Sequence, residues 1–268
     1  MTTPDDHGRH IVSLSGGKDS TALAIYLRDK LPKVEYVFSD TDKELPETYD
    51  YLDKLEAYLG QEIVRLRSEQ GFDHWLKIYG GYLPSARMRW CTKVLKIKPF
   101  EQYIGDNPVK MYIGIRADEN RGGYRPTKPN ITPVYPFVEA GYDLDDIHRI
   151  LDESGIGFPE YYSWRSRSGC TFCFYQQRQE WVGLKENHPE AFEEAKKYEK
   201  IDPDTGNRYT WSERESLEEL EHPERIAEIK AKAEAARIKR GSGSKKLLHI
   251  LGQDDDDDFV EPCSFCHI

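Results

Sequence analysis

Residues 11–21 read IVSLSGGKDST, an apolar run that passes into two glycines and then into residues suited to a helix start. Ile11, Val12 and Leu14 predict a buried strand. Gly16 and Gly17 permit a sharp turn that exposes backbone N–H groups. Ser20 and Thr21 predict hydroxyl caps for the following helix, whose positive N-terminal end then faces the same turn. Lys18 adds a mobile positive charge, and Asp19 a carboxylate able to align a nucleophile or Mg²⁺. Strand, glycine turn and helix N-terminus in this order make a cradle for nucleotide phosphates. The cradle is not a Walker A loop, which needs four residues between its glycines and a hydroxyl residue directly after the lysine. Here Asp19 follows Lys18.

Downstream, strands and helices alternate. Val34–Phe38 predicts a second strand closing in Ser39-Asp40-Thr41, followed by a helix over Pro46–Leu59 with Tyr49, Leu52, Leu55 and Leu59 at helical spacing. A third strand over Ile63–Leu66, a short helix over Gly71–Tyr79 and a loop over Gly80–Ser85 come next. A helix over Val94–Tyr103 then leads to a fourth strand, Val109–Ile115, ending in GIRADEN. Alternation of this kind implies an α/β fold, a Rossmann-like parallel sheet with helices on both faces. Ligands of such sheets lie beyond the carboxyl ends of the strands. Ser15, Asp40 and Arg116 each stand at such an end, so three separated segments are expected to meet at one crevice.

Further helices are expected over Asp143–Ser154, opened by Asp143 and ended at Gly155, and over Glu180–Asn187 and Pro189–Lys200, with a turn at PDTGN, 203–207. On the second and third of these, Trp181, Leu184 and Phe192 read as helix-face core residues. Ser212–Arg240, rich in Ala, Glu, Lys and Arg, predicts an exposed helical hairpin interrupted at Pro223. GSGS at 241–244 reads as a linker to an arm that carries the acidic run 254–258.

At 268 residues the chain is long enough for a full α/β core and one smaller appendage. A net charge of −10 argues against a general polyanion binder. Within it, Ser85–Lys128 holds ten Lys/Arg against four Asp/Glu, a local net of +6 suited to phosphates or a nucleic-acid backbone, or simply a solvated basic face. Arg87 and Arg89 in this stretch lead toward Cys91. No apolar run approaches a membrane span, and the first ten residues do not read as a signal peptide, so the expectation is a cytoplasmic enzyme without membrane partners. The acidic arm would then mimic nucleic acid or block the basic groove until a partner arrives.

Four of the five cysteines fall as two C-x-x-C pairs, Cys170/Cys173 and Cys263/Cys266; the fifth is Cys91. In a reducing compartment this usage points to soft-metal ligation or sulfur chemistry rather than disulfides. Two readings stand. A zinc ion on Cys170, Cys173, Cys263 and Cys266 would join pairs separated by 89 residues, far more than a compact zinc ribbon uses. An iron–sulfur cluster would take Cys91, Cys170 and Cys173, with the fourth position open or filled from the tail.

SGGKDS resembles the PP-loop of the N-type ATP pyrophosphatases, which cut between the α and β phosphates and transfer adenylate. The order SGGKDS, a Cys followed by K-x-x-P, then G-I-R and G-C-x-x-C resembles the phosphoadenylyl-sulfate reductase family from about Arg9 to about Lys200. In its iron–sulfur members a tandem Cys pair and a later C-x-x-C hold a [4Fe–4S] cluster. Here Trp90 takes one tandem position, which leaves three matching cysteines and an open iron site of the kind PP-loop tRNA thiolases use. The family's catalytic Cys near the C-terminus, followed by Gly, Leu and His, is matched only by Cys266-His267, without the Gly-Leu. Segments R-W-C-T-x-x-L-K-I-x-P and C-x-F-C-x-x-Q-x-R-x-E-W-x-x-L-K-x-x-x-P look similar to the ATP pyrophosphatase of bacterial DNA phosphorothioation systems and their phage-associated relatives.

What these resemblances imply is a PP-loop domain over 1–200, a charged helical extension over 201–240 and a Cys-bearing tail over 241–268. The implied cofactors are ATP, Mg²⁺ and an iron–sulfur cluster, with zinc as the alternative. Backbone N–H groups of Ser15 to Ser20 would hold the pyrophosphate, Lys18 would neutralise it, Arg116 would reach the α-phosphate or acceptor, and Asp40 or its backbone would orient the adenosine. Sulfur would come from a cysteine desulfurase and enter the DNA backbone, or another nucleic acid, within a DNA-modification complex with antiphage function. The other readings are reduction of adenylyl sulfate or its phosphorylated form, and a non-catalytic nucleotide-binding subunit of a defence complex.

Overall fold

The computed structural model describes residues 8–31, 33–120, 122–212 and 215–242. They fall into two compact units, one built from 8–78 and 89–170, the other from 79–88 and 171 onward. Residues 171–200, expected to belong with the sheet, thus group with the helices that follow them.

The first unit is a five-stranded parallel sheet in the order β3-β2-β1-β4-β5. Its strands are β1 (Arg9–Leu14), β2 (Val34–Asp40), β3 (Ile63–Arg67), β4 (Val109–Tyr112) and β5 (Ile131–Val134). Side chains of a strand alternate between faces, and β1 feeds two cores accordingly. Val12 and Leu14 pack with Leu23 and Leu27 of helix α1 (Lys18–Leu27), Leu52 and Leu55 of α2 (Pro46–Leu59), and Ile147 and Leu151 of α6 (Leu144–Ser154). Ile11 joins Val37, Met111, Ile113 and Ile131 against Phe100 and Ile104 of α4 (Lys98–Ile104). Both faces of the sheet are therefore covered, as parallel sheets require. The remaining helices of this unit are α3 (Phe72–Ile78) and α5 (Pro136–Ala140).

The order of strands reverses at β1: β2 and β3 are added on one side, β4 and β5 on the other, all parallel. The loop after β1 and the segment after β4 thus open at the switch point of the sheet, where such folds bind ligands.

Several expectations hold. The helix over Pro46–Leu59 forms with those bounds and ends at Gly60 in the left-handed conformation. Asp143 caps α6 with a capping box, accepting from the N–H groups of Asp145 and Asp146 while Asp146 accepts from its own. Others are corrected. Ser20 and Thr21 are not caps: α1 starts at Lys18, its N-cap is Gly17 without a side-chain bond, and both hydroxyl residues lie inside the first turns. The helix expected over Val94–Tyr103 opens earlier, as a π-helical stretch at Thr92–Ile97 that gives way to α4. The β5 strand was not legible because it is four residues long and contains Pro133, which a sheet tolerates at an edge.

The second unit holds α7 (Arg178–Asn187), α8 (Pro189–Tyr198), α9 (Leu217–Leu220) and α10 (Pro223–Ser242), with a two-residue ribbon of β6 (Lys200–Ile201) and β7 (Arg208–Tyr209) around the PDTGN turn. Trp181 and Phe192 are fully buried, and Trp211 stacks on Phe172 at 5.1 Å while its Nε1 donates to the Ala195 carbonyl at 2.9 Å. Glu199 accepts from the N–H groups of Trp211 and Leu217, tying the ribbon's base to α9. Pro223 opens α10 rather than interrupting a continuous helix. The helix runs through Gly241 and Ser242, so the first half of the expected linker is helical. The rest of that linker, the acidic run and both tail cysteines, Cys263 and Cys266, lie outside the described residues.

Candidate nucleotide site

The turn between β1 and α1 has the geometry that its glycines predict. Gly16 takes φ +72°, a left-handed conformation closed to most side chains, and a Cβ there would stand 2.6 Å from Thr48 Cγ2. Ser20 holds the loop from within. Its hydroxyl accepts from the Ser15 N–H at 3.1 Å, donates to the Gly17 carbonyl at 3.1 Å and lies 3.1 Å from Ser15 Oγ. A hydroxyl expected at the cap instead locks the shape of the β1–α1 loop.

Asp19 lies at the centre of an ion network. Lys18 Nζ sits 2.8 Å from one of its oxygens and Arg116 Nη1 2.8 Å from the other. Burial pushes the Asp19 carboxyl up, but the charges of Lys18 and Arg116 outweigh it and hold the group below its usual range. Arg116 also pairs with Asp118 at 2.8 Å and Glu119 at 2.9 Å. Burial works against the guanidinium charge; Asp118, Asp19 and Glu119 overcome it and keep the arginine charged. The three residues expected to act, Lys18, Asp19 and Arg116, are therefore in direct contact. Arg116 is not a bare cation, since three carboxylates surround it. Gly114 explains why this is possible, because a Cβ there would lie 2.8 Å from the Asp19 carbonyl oxygen. Only a glycine lets the end of β4 approach the first turn of α1 this closely.

Asp40, expected to orient adenosine, has its carboxylate engaged. Oδ1 accepts from Tyr49 at 2.7 Å and from the Asp42 N–H at 2.9 Å, and Oδ2 pairs with Arg67 at 2.7 Å. The side chain braces the end of β2, so any nucleotide contact there falls to neighbouring atoms. Beyond it, Thr41 Oγ1 donates to Glu44 Oε1 at 2.8 Å and lies 3.2 Å from Cys170 Sγ, which is itself 3.6 Å from Glu44 Oε1. Burial raises the Glu44 carboxyl above its ordinary value against the opposing pull of Lys96.

Of the expected metal ligands, Cys263 and Cys266 lie outside the described residues. Among the described residues no group of three His, Cys, Asp or Glu side chains is placed to hold a metal ion, and Cys91, Cys170 and Cys173 are not in disulfides. Cys170 is instead bonded into the Thr41–Glu44 pair. Trp90, in the tandem-cysteine position, is buried against Phe72 with ring centroids 5.1 Å apart, a core role. The basic stretch is also reduced: Lys96 is buried, Arg116 is paired, and Lys128 bonds the carbonyls of Glu101 and Gly105. Lys93, Lys98 and Arg125 remain exposed.

Reading the sequence missed the segment 160–168. Tyr161 donates to the Gly16 carbonyl at 2.7 Å, the Lys18 N–H donates to Tyr162 Oη at 3.2 Å, and Ser168 Oγ donates to Ser15 Oγ at 3.0 Å. The only signal was the polar and aromatic density of YYSWRSRS just before the Gly-Cys.

Residues 9–131 match the family profile described as phosphoadenosine phosphosulfate reductase domain. An uncharacterized protein of Methanocaldococcus jannaschii is 27% identical over 197 residues, 68% of this chain and 40% of that protein. An uncharacterized 37.8 kDa protein of Escherichia phage 186 is 24% identical over 255 residues, covering 72% of this chain and 75% of that one. An adenosine 5'-phosphosulfate reductase of Staphylococcus haemolyticus is 26% identical over 121 residues, 45% and 47% of the two chains. The chain spans less than half the length of the two archaeal relatives it matches. Among solved structures, the phosphoadenylyl-sulfate reductase of Candida auris, in a phosphate complex, shares the fold with a TM-score of 0.50 at 15% identity, over 62% of this chain and 82% of that one. Residues 9–131 of this chain thus match the phosphoadenosine phosphosulfate reductase domain in sequence, and the parallel sheet shares the fold of a phosphoadenylyl-sulfate reductase.

Proposed function

We propose that this chain is an ATP pyrophosphatase that adenylates an acceptor for sulfur incorporation, with the DNA backbone as that acceptor. The observation that carries this reading is the SGGKDS turn itself: a left-handed Gly16, a loop locked by Ser20 and a Lys18 ammonium at its mouth, all at the switch point of the sheet. Backbone N–H groups at the start of α1 receive the β- and γ-phosphates, and Lys18 neutralises charge that grows on the departing pyrophosphate. An acceptor phosphate oxygen attacks the α-phosphorus, pyrophosphate leaves, and the acceptor carries AMP. The terminal sulfur of a cysteine desulfurase persulfide then attacks the acceptor phosphorus; the P–O bond breaks, AMP departs with that oxygen, and a thiol cleaves the remaining S–S bond, leaving a disulfide and the phosphorothioate.

Arg116, buffered by Asp19, Asp118 and Glu119, turns toward the α-phosphate once Lys18 and Asp19 engage the nucleotide. Mg²⁺ is ordinarily held by one or two carboxylates together with substrate phosphates, and Asp19 is the residue that would contribute here, supplying charge neutralisation at the phosphates. The described cysteines do not form a cluster site, and no step is routed through one. A second reading, reduction of adenylyl sulfate, draws support from the relatives named as adenosine 5'-phosphosulfate reductases. Incubation with α-labelled ATP, duplex DNA, a cysteine desulfurase, cysteine and a thiol reductant separates them. AMP and pyrophosphate are expected; ADP and inorganic phosphate would overturn the reading, sulfite release from adenylyl sulfate would favour the second, and ATP bound without turnover would leave a non-catalytic subunit.

A further inference from the structure

We infer that the Tyr162 hydroxyl is a further ligand of the bound phosphates, carried to the loop by the segment 160–168. The inference rests on the nucleotide reading above and adds a side chain outside the SGGKDS motif.

The first-turn N–H groups of a helix are the ones left without intrahelical partners, and in a phosphate loop they are the groups that receive the anion. One of them, the Lys18 N–H, is taken by Tyr162 Oη at 3.2 Å. Because that oxygen accepts, the phenol proton points elsewhere, and no acceptor for it is found among the described residues. The proton stays on: burial, followed by the negative charge of Asp19, raises the phenol above its ordinary value. Tyr162 therefore presents a neutral O–H donor beside the Lys18 N–H. The Lys18 ammonium lies 5.5 Å from the centre of the same ring, so ring and ammonium flank the same spot.

The neighbours hold this hydroxyl in register. Tyr161 stacks on Tyr162 with centroids 5.1 Å apart and donates to the Gly16 carbonyl at 2.7 Å, and Ser168 Oγ donates to Ser15 Oγ at 3.0 Å. Three bonds from one segment thus reach Ser15, Gly16 and Lys18. Tyr161 and Ser168 bind atoms of the protein and position the loop; Tyr162 alone keeps a donor for the ligand. A hydroxyl that takes the backbone N–H and passes its own proton to a phosphate oxygen extends the cradle outward by one hydrogen bond to a charged acceptor. Removing such a bond weakens binding by about tenfold.

The test is calorimetric titration of pyrophosphate, and separately of AMP, into the full chain and into Tyr162→Phe, which keeps the ring and its stacking. Pyrophosphate affinity is expected to fall about tenfold with AMP affinity unchanged. Equal affinities in the two proteins, or a parallel loss for both ligands, would overturn the assignment. As a second readout that needs no deletion, 3-fluorotyrosine placed at position 162 should show a ¹⁹F resonance that shifts on pyrophosphate addition; an unmoved resonance at saturating pyrophosphate would equally overturn it. If the unaltered chain binds neither ATP nor pyrophosphate, the nucleotide reading fails first. If it binds both while Tyr162 is silent, only this inference fails.

Discussion

Lys18 and Asp19 carry opposite burdens at the residue scale. Lys18 is the cation at the loop mouth, so Lys18→Ala should abolish pyrophosphate release while the fold persists, as read by a pyrophosphate-release assay beside a circular dichroism melt. Unaltered turnover would mean the site lies elsewhere. Asp19 holds two cations in a nearly dry site, with side-chain exposures of 15% for Lys18, 8% for Asp19 and 11% for Arg116. Breaking a buried pair by removing one partner costs about 3–5 kcal/mol, so Asp19→Asn should lower the stability measured by urea unfolding by that order. The pH dependence follows from the direction of the shift. The Asp19 carboxyl is held below its unfolded value of roughly 3.9. Its contribution is therefore complete above that pH and is lost as pH falls toward the folded value. Acid titration of the wild type should show this limb, and Asp19→Asn should flatten it. Identity of these residues was legible from SGGKDS and GIR; their mutual pairing was not, because no spacing between residues 19 and 116 encodes a contact. Asp40 shows the same divide: its place at a strand end was foreseen, whereas its engagement with Tyr49 and Arg67 depends on how α2 and β3 pack beside it.

At the scale of elements, the junction between α1 and β4 is the tightest part of the site. Gly114 brings the end of β4 to the first turn of α1, and an added methyl would meet backbone rather than a movable side chain. Overpacking of this kind costs about 1–3 kcal/mol. Gly114→Ala should lower the melting temperature and weaken ATP binding together, by pushing Asp19 and Arg116 apart; a variant with normal nucleotide affinity would show that the contact is dispensable. Periodic, capped elements were legible: the bounds of α2 follow from its proline start and glycine stop, and α6 from its Asp143 box. Elements without such punctuation were not. The β5 strand carries a proline, and the π-helical turn after Cys91 looks in sequence like an ordinary helix start. A π-turn shifts each following side chain around the axis, which here buries Val94, Leu95 and Lys96 in succession. Lys96, counted in sequence with a basic surface, points inward for that reason.

Across the whole molecule, two units with separate cores share one chain, and each can be tested through its own aromatic centre. In the helical unit, Trp211 joins Phe172, Trp181 and Tyr198 and anchors the Ala195 carbonyl. Large-to-small changes at such sites cost about 3–5 kcal/mol, so Trp211→Ala should erase near-ultraviolet dichroism from that cluster and lower its unfolding midpoint. An unchanged midpoint would refute the packing described. The amino-acid sequence by itself determined the sheet class, the glycine turn after β1 and the chemistry its residue types permit, because strand, glycine turn and helix start are all local and follow from nearest neighbours. Only the tertiary structure decided which groups meet there: Arg116 with Asp19, Cys170 with Glu44, and Tyr161, Tyr162 and Ser168 with the loop. Those contacts join residues about a hundred positions or more apart, and what brings them together is the order of strands across the sheet, a property of the assembled core rather than of any stretch of sequence.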